Sequence, residues 1–352
     1  MRQMKAAVYR GPGNISVETV PIPEVGPRDV LIRVRACGIC GSDLHSYKCG
    51  MYIHPGQIMG HEFMGEIAAI GDEVQGLEVG DRVTGFSIGV CGQCYWCNKG
   101  ELYLCPELFK KSTGYGRPGA LAEYVLIENA IPGVTVHRLP DTIDDATGAT
   151  VEPVSVAVRA VDLAGVQAGD KVIVLGAGMI GNACMQAARV AGAAFIGVCE
   201  VSPVRLAAAR ELGADATFDA RSGDAVEWAK SVVGVGPYHF NEGAMADVVI
   251  EAAGSPVTIQ QSFEMVRSGG TIAFVGLPEE PTPVDTTKIV HKAPRIIGCL
   301  GGDFARAIQL LASGKIRTAS LITHRFTLDE APKAFAAQLQ ADRVIKAMVF
   351  ID

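Results

Sequence analysis

Four cysteines crowd one short stretch of this chain: Cys91, Cys94, Cys97 and Cys105 stand in the order C-x2-C-x2-C-x7-C. Thiols at that spacing are metal ligands, and three readings compete for them. A tetrathiolate zinc leaves no open position, so it can brace a loop but cannot do chemistry. An iron–sulfur cluster also takes four thiolates, but the closely spaced motif ends C-x3-C-P. Here the last gap is seven residues, although Pro106 does follow Cys105. Unligated buried thiols are the plain alternative, which four cysteines this close together disfavour. Structural zinc is the expectation. Cys40 and His61 sit apart from this cluster and read as an open site. A thiolate and a neutral imidazole supply two ligands, and a catalytic zinc needs one more from the protein plus a position for water or substrate. Spacing alone does not reveal the third, and His61 beside Glu62 could equally be a solvated turn residue.

A third constellation is glycine-rich: Gly176, Gly178 and Gly181 fall in Val174-Leu175-Gly176-Ala177-Gly178-Met179-Ile180-Gly181. The pattern alone is weak, but a strand precedes it, a helix follows it, and Glu200 ends the next strand about 20 residues on, where a dinucleotide fingerprint places its ribose ligand. Gly176 permits the tight turn, Gly178 lets the backbone, with Met179 and Ile180 opening the helix, approach a pyrophosphate, and Gly181 lets the helix lie close to the strand. A carboxylate at Glu200 accepts from the ribose 2'-hydroxyl and repels a 2'-phosphate, which favours NAD over NADP. Arg205 tempers this, since it could pair with a phosphate or pack near the adenosine.

These residues need scaffolds, and the chain changes character near residue 155. Before it, short segments such as Asp29–Val34 alternate with glycine turns at Gly60, Gly65, Gly71, Gly76, Gly80 and Gly85, the pattern of a compact β-rich barrel. After it, apolar runs without alternation (Lys171–Gly176, Ala194–Glu200, Ala246–Glu251 and Gly270–Gly276) are separated by helical stretches at Ile180–Ala191, Ser202–Leu212 and Ser255–Val266. That is a doubly wound α/β unit with a parallel sheet covered on both faces. From about residue 290 the chain is expected to leave this unit through Arg295–Leu300, to form helices at Phe304–Ser313 and Ala331–Gln340, and to return a strand, Ala347–Ile351, to the first unit.

The gross numbers bound the function. A chain of 352 residues exceeds what one core supports, so two domains are expected. A net charge of -7 argues against nucleic acid or an anionic membrane as partner. The charged start, Met1 to Arg10, has no signal-peptide core, and no apolar run reaches the ~18 residues of a membrane span. Ten cysteines in a long chain, four of them in metal spacing, fit reduced thiols and a cytoplasmic setting better than a disulfide framework.

From end to end the chain resembles the zinc-dependent medium-chain alcohol and polyol dehydrogenases: Gly60-His61-Glu62, then the cysteine lobe Cys91–Cys105, then Gly119-Ala120-Leu121-Ala122-Glu123-Tyr124, then the glycine fingerprint. The resemblance implies a β-rich GroES-like catalytic domain at 1–155 and 291–352, and an NAD-binding Rossmann domain at 156–290. It implies two zinc ions per chain. The catalytic one would be held by Cys40, His61 and Glu152, in Val151-Glu152-Pro153, with Glu62 in reserve. Classical alcohol dehydrogenases have cysteine at position 152, whereas sorbitol, threonine and butanediol dehydrogenases have glutamate. Ser42 matches the hydroxyl that takes the alcohol proton and His45 the imidazole that carries it outward, although Ser42 could merely cap a helix and His45 lie on the surface. The Arg-Tyr pair of sorbitol-type enzymes falls on Cys299 and Leu300 here, which weakens an open-chain polyol; Ser46, Tyr47, Lys48 and Tyr52 could compensate. The expected reaction is hydride transfer between a secondary alcohol, cyclic or vicinal, and NAD. Polyol or L-threonine oxidation is the alternative, and a homo-oligomer, tetramer rather than dimer, is implied. A zinc-free enone reductase would not need this ligand set. A redox-sensing, metal-binding interaction protein is the rival from another class.

Overall fold

The computed structural model describes residues 2–86 and 89–352, so Met1 of the charged start lies outside the described residues. Seven strands precede the change in character: β1 (Gln3–Gly11), β2 (Asn14–Pro21), β3 (Val30–Gly38), β4 (Glu62–Ile70), β5 (Arg82–Gly85), β6 (Tyr124–Ile127) and β7 (Val136–Arg138). Eight follow it: β8 (Lys171–Leu175), β9 (Phe195–Glu200), β10 (Ala216–Asp219), β11 (Val235–Tyr238), β12 (Asn241–Ala244), β13 (Ala246–Glu251), β14 (Val266–Phe274) and β15 (Arg295–Gly298). Two more, β16 (Ile322–Thr327) and β17 (Lys346–Phe350), close the chain.

The first sheet runs β16-β17-β3-β4-β5-β7, with β6 also paired to β3, while β1 and β2 form a separate antiparallel pair. β17 therefore does rejoin the first unit, antiparallel to β3, with Met348 opposite Gly38. Gly38 also faces Glu62 across β4. Three strand ends thus meet at one corner: the end of β3 just before Cys40, the start of β4 at Glu62 just after His61, and the start of β17 at Lys346. A Cβ at Gly38 would lie 2.5 Å from Glu62 Oε2, so only glycine leaves that carboxylate its place.

The second sheet is six-stranded and parallel in the order β10-β9-β8-β13-β14-β15. Its strand order reverses between β8 and β13, which opens a crevice at their carboxyl ends. Helices cover both faces. Val154, Val158, Ala183 and Met185 pack with Val172, Val174 and Ile250 on one side, and Ala229, Ile259 and Phe263 pack with Ile173, Val249 and Ile272 on the other. The first cluster also takes in Ala36, Met64 and Met348 of the antiparallel sheet, so one continuous core joins the two units.

One expectation needs correction, and one element is additional to those expected. Arg295–Gly298 does not lead out of the parallel sheet at residue 290. It is the sheet's edge strand, paired through Ile296 to Ile272 and Ile297 to Ala273. A β-branched pair flanked by glycine at an edge needs only one neighbour, so it lacks the long apolar run that marks an inner strand. The hairpin of β11 and β12 was not foreseen, because Val235–Ala244 is rich in glycine and polar residues.

Candidate active site

Helix Gly41–Cys49 starts directly after Cys40, which occupies its N-cap, so Ser42 sits inside the first turn and does not cap it. The Asp43 carboxylate reaches back to accept from the Cys40 amide at 2.9 Å. The other oxygen of Asp43 faces His61 Nδ1 at 3.5 Å, and both residues are buried. A carboxylate behind a histidine fixes the ring's orientation and leaves Nε2 as the outward donor. One ligand atom from each of Cys40, His61 and Glu62 lies within 4.8 Å of the others.

Glu62 is already engaged. Lys346 Nζ donates to its two oxygens at 2.9 and 2.6 Å and to the Ile39 carbonyl at 2.9 Å, all of it buried. Glu152 stands in the first turn of helix Val151–Ala164, outside the compact trio. Burial pushes its carboxyl up to about 7; His61 opposes the rise and Glu62 adds to it. Buried Asp43 and Glu62 and half-buried Cys40 and Glu152 thus gather around one region, in which Lys346 is the buried cation. Such a surplus of acidic donors is what a divalent cation neutralises, and thiolate, imidazole and carboxylate are zinc donors. The residues fit a zinc site.

The second cluster fits zinc on distance. Zn–S bonds of about 2.3 Å in a tetrahedron set sulfurs about 3.8 Å apart; Cys94 and Cys97 are 3.5 Å apart and Cys91 and Cys97 4.0 Å. Amide groups of Cys91, Cys94 and Cys97 donate to the sulfurs of Cys105, Cys91 and Cys94. The amide of Gln93 leads in drawing the Cys91 thiol down to about 6, whereas burial leads in pushing the neighbouring Cys97 thiol up to about 11, so the case for zinc here rests on the spacing of the sulfurs.

Ser42 Oγ is 3.5 Å from His61 Nε2 and 2.8 Å from the Tyr115 hydroxyl. Among the described residues no hydrogen bond joins Ser42 to His45, whose Nε2 instead faces Glu279 at 3.9 Å, beside the Lys48–Glu279 ion pair at 2.7 Å. Of the polar groups expected to compensate for the missing Arg-Tyr pair, Ser46 donates to Met51 O, Tyr47 to Gly13 O, and Lys48 to Glu279. Tyr52 stacks on Phe109.

In the crevice, Gly176 has φ +93 and Gly181 packs so closely that a Cβ would meet Gly176 O at 1.9 Å. Both are backbone demands that other residues cannot meet. Gly178 caps helix Met179–Ala191, whose N-terminus, opened by Met179 and Ile180, faces the crevice end of β8. A helix start of this kind favours phosphate. Glu200 is spent largely on the backbone: it accepts from Ala177, Val201 and Ser202 amides at 2.8, 2.7 and 3.0 Å. Arg205 lies 3.9 Å from Glu200 and donates to Val344 O. Glu251, which the sequence reading passed over, ends β13 and accepts from the amides of Ala253 and Gly254, holding the other wall of the crevice.

The profile described as Alcohol dehydrogenase GroES-like domain matches residues 26–141, and that described as Zinc-binding dehydrogenase matches 180–313. A sorbitol dehydrogenase of Bacillus subtilis is 34% identical over 99% of this chain and 98% of its own. A dehydrogenase of Sinorhizobium meliloti described as zinc-binding, solved bound to NADP, superposes with a TM-score of 0.89 at 36% identity, covering 99% of this chain and 100% of that one. The 2R,3R-butanediol dehydrogenase of Bacillus subtilis gives 0.85 at 30%, over 99% and 100%. The chain belongs to the zinc-dependent medium-chain alcohol and polyol dehydrogenases. As a member of that family it is an oxidoreductase of alcohol CH–OH groups, built from a GroES-like and a Rossmann-type unit, that works with zinc and a nicotinamide cofactor on a small-molecule substrate. Among the described residues no helix is long and apolar enough to cross a membrane.

Proposed function

We propose that this dehydrogenase oxidises a secondary alcohol, cyclic or vicinal, to its ketone, with the hydride passing to NAD. The observation that carries this reading is the meeting of Cys40, His61 and Glu62 donor atoms within 4.8 Å, with Ser42 beside them and Glu152 near enough to feel the charges of His61, Glu62 and Lys346. Cys40, His61 and Glu152 would hold the catalytic zinc, with Glu62 as a fourth donor once it leaves Lys346. Cys91, Cys94, Cys97 and Cys105 would hold a structural one. The catalytic ion supplies Lewis acidity that makes an alcohol proton easier to remove. The protein's own groups do the rest. Ser42 Oγ would accept the proton, and His45 at the rim, which faces Glu279 and shares no hydrogen bond with Ser42 among the described residues, would pass it outward once the gap between them is bridged. The helix start at Gly178–Ile180 would hold the pyrophosphate of the nicotinamide cofactor.

NAD is preferred because Glu200 puts a buried carboxylate where a 2'-phosphate would lie. The NADP-bound relative is the opposing observation, and Arg205 is the group through which NADP would be tolerated. The lost Arg-Tyr pair and the engaged Ser46, Tyr47 and Lys48 leave few hydroxyl partners, which favours an alcohol less polar than sorbitol. The catalytic unit spans 1–155 and the segment after β15, and the cofactor unit runs from 156 through β15. A cytoplasmic homo-tetramer completes the reading. A panel of secondary alcohols, vicinal diols, sorbitol and L-threonine, each with NAD and NADP, tests it. The expected result is highest kcat/KM for a non-polyol secondary alcohol with NAD; preference for sorbitol or L-threonine, or for NADP, contradicts it.

A further inference from the structure

Tyr115 has no assigned role, yet its hydroxyl is aimed at the reacting region. The ring is 6% exposed and stacks on His61 with centroids 5.0 Å apart and planes 29° from parallel. Its hydroxyl lies 2.8 Å from Ser42 Oγ and 3.5 Å from His61 Nε2. Away from His61, the ring meets Phe109 edge-on at 5.4 Å and Tyr52 at 6.4 Å. Those rings, with His54, Lys110 and Gly116, line a cavity of about 330 Å³. The loop is held in place: Gly116 donates to Phe109 O and Arg117 to Ser112 O. A phenol so fixed is not a loose surface contact.

A seryl hydroxyl has one proton to give and two lone pairs. Left alone it rotates, and a proton acceptor that rotates meets the alcohol in the right geometry only part of the time. When the Tyr115 O–H donates to one lone pair of Ser42, the other stays open toward the space between Ser42 and His61, and the seryl proton is free to move outward. We propose that Tyr115 is a positioning residue for Ser42, fixing the orientation in which the seryl oxygen accepts the alcohol proton. The protons balance: the alcohol O–H gives its proton to Ser42 Oγ, the seryl proton leaves to solvent, and Tyr115 keeps its own proton throughout. Tyr115→Phe leaves the ring stacked on His61 and removes the hydroxyl that bonds Ser42 at 2.8 Å and faces His61 Nε2 at the longer 3.5 Å, so an effect carried through Ser42 must vanish when the seryl hydroxyl is gone, whereas one carried through His61 must persist.

This inference rests on the hydride-transfer reading above, and a double-mutant cycle separates the two. The zinc-loaded wild type, Tyr115→Phe, Ser42→Ala and the double variant are compared with 2,3-butanediol and 2-butanol as substrates. General acid–base relays are worth about 10²–10⁴-fold, and loss of one orienting hydrogen bond should remove about tenfold of that. Tyr115→Phe is expected to lower kcat about tenfold with KM within about twofold, and to change kcat by less than about twofold in the Ser42→Ala background. A second readout needs no turnover: trifluoroethanol, titrated calorimetrically into the enzyme–NAD complex, should bind several-fold more weakly to Tyr115→Phe than to wild type, and equally to the two Ser42→Ala forms. Wild-type kcat in Tyr115→Phe, or equal losses in both backgrounds, overturns the proposal. So does loss of zinc or a lowered melting point in Tyr115→Phe, which would make the phenol structural. A wild type inactive on every alcohol of the panel overturns the hydride-transfer reading first.

Discussion

Lys346→Met is the most informative single perturbation of the framework around the metal corner. In the native protein Lys346 and Glu62 have side chains only 4% and 2% exposed. The ammonium makes three hydrogen bonds, two to Glu62 and one to Ile39 O. Methionine fills nearly the same volume, so the change creates no cavity and removes only the charge and its donors. What remains is a buried carboxylate without its cation and a buried carbonyl without its donor. Breaking a buried pair from one side costs about 3–5 kcal/mol. The apo protein, stripped with chelator, should therefore lose about that much in urea denaturation followed by circular dichroism at neutral pH. The zinc-loaded protein should lose less, because the released Glu62 can turn to the ion. Pairing Lys346→Met with Glu62→Leu should recover most of the loss, since an apolar pair in place of an ion pair is close to neutral. A single variant within about 0.5 kcal/mol of wild type in the apo state, the range of an inconsequential surface change, would refute the claim that Glu62 is a buried anion held by Lys346.

Other expectations follow from neighbouring parts of the molecule. Cys94→Ala should release one zinc per chain and open the 91–105 lobe to protease, measured by metal analysis and limited proteolysis, because a structural site contributes directly to folding. Glu200→Ala should narrow the NAD-over-NADP ratio in kcat/KM by about tenfold or more, and should also destabilise, since three backbone amides lose their acceptor; an unchanged ratio contradicts the cofactor assignment. Burial holds the His137 imidazole below its ordinary 6.5. The unfolded chain therefore takes up a proton that the native one refuses, and stability falls as pH drops below 6.5 toward the native value. His137→Phe, which keeps the stacking on Phe304, should flatten that acid-side slope in urea midpoints between about pH 7 and pH 5.

What could be read in advance was what is local. The four cysteines of the lobe lie within one short stretch, so their spacing announced that their sulfurs converge, and the strand–Gly–helix unit at Lys171–Ala191 announced itself by a switch from apolar run to helical period. Cys40 and His61 stood out by type, and their meeting depends on β3 and β4 pairing side by side. Lys346 could not be seen, since it reaches Glu62 across 284 positions of sequence and reads locally as an ordinary charged strand end. Asp43 had a faint signal, three residues past Cys40 on one helical turn, where a carboxylate can fold back on the helix start. Tyr115 had none: it stands between Gly114 and Gly116, and the hydroxyl's aim at Ser42 is a tertiary fact. The edge strand β15 was missed because an edge needs no long apolar run.

The central claim is that Cys40 and His61 hold a zinc ion on which alcohol oxidation depends. Metal analysis of purified enzyme, paired with NAD-linked alcohol turnover, tests it most directly. The expected result is two zinc ions per wild-type chain, and one in a folded Cys40→Ala variant that no longer turns over. Active wild-type enzyme without zinc, or a Cys40→Ala variant that keeps its turnover, would contradict it.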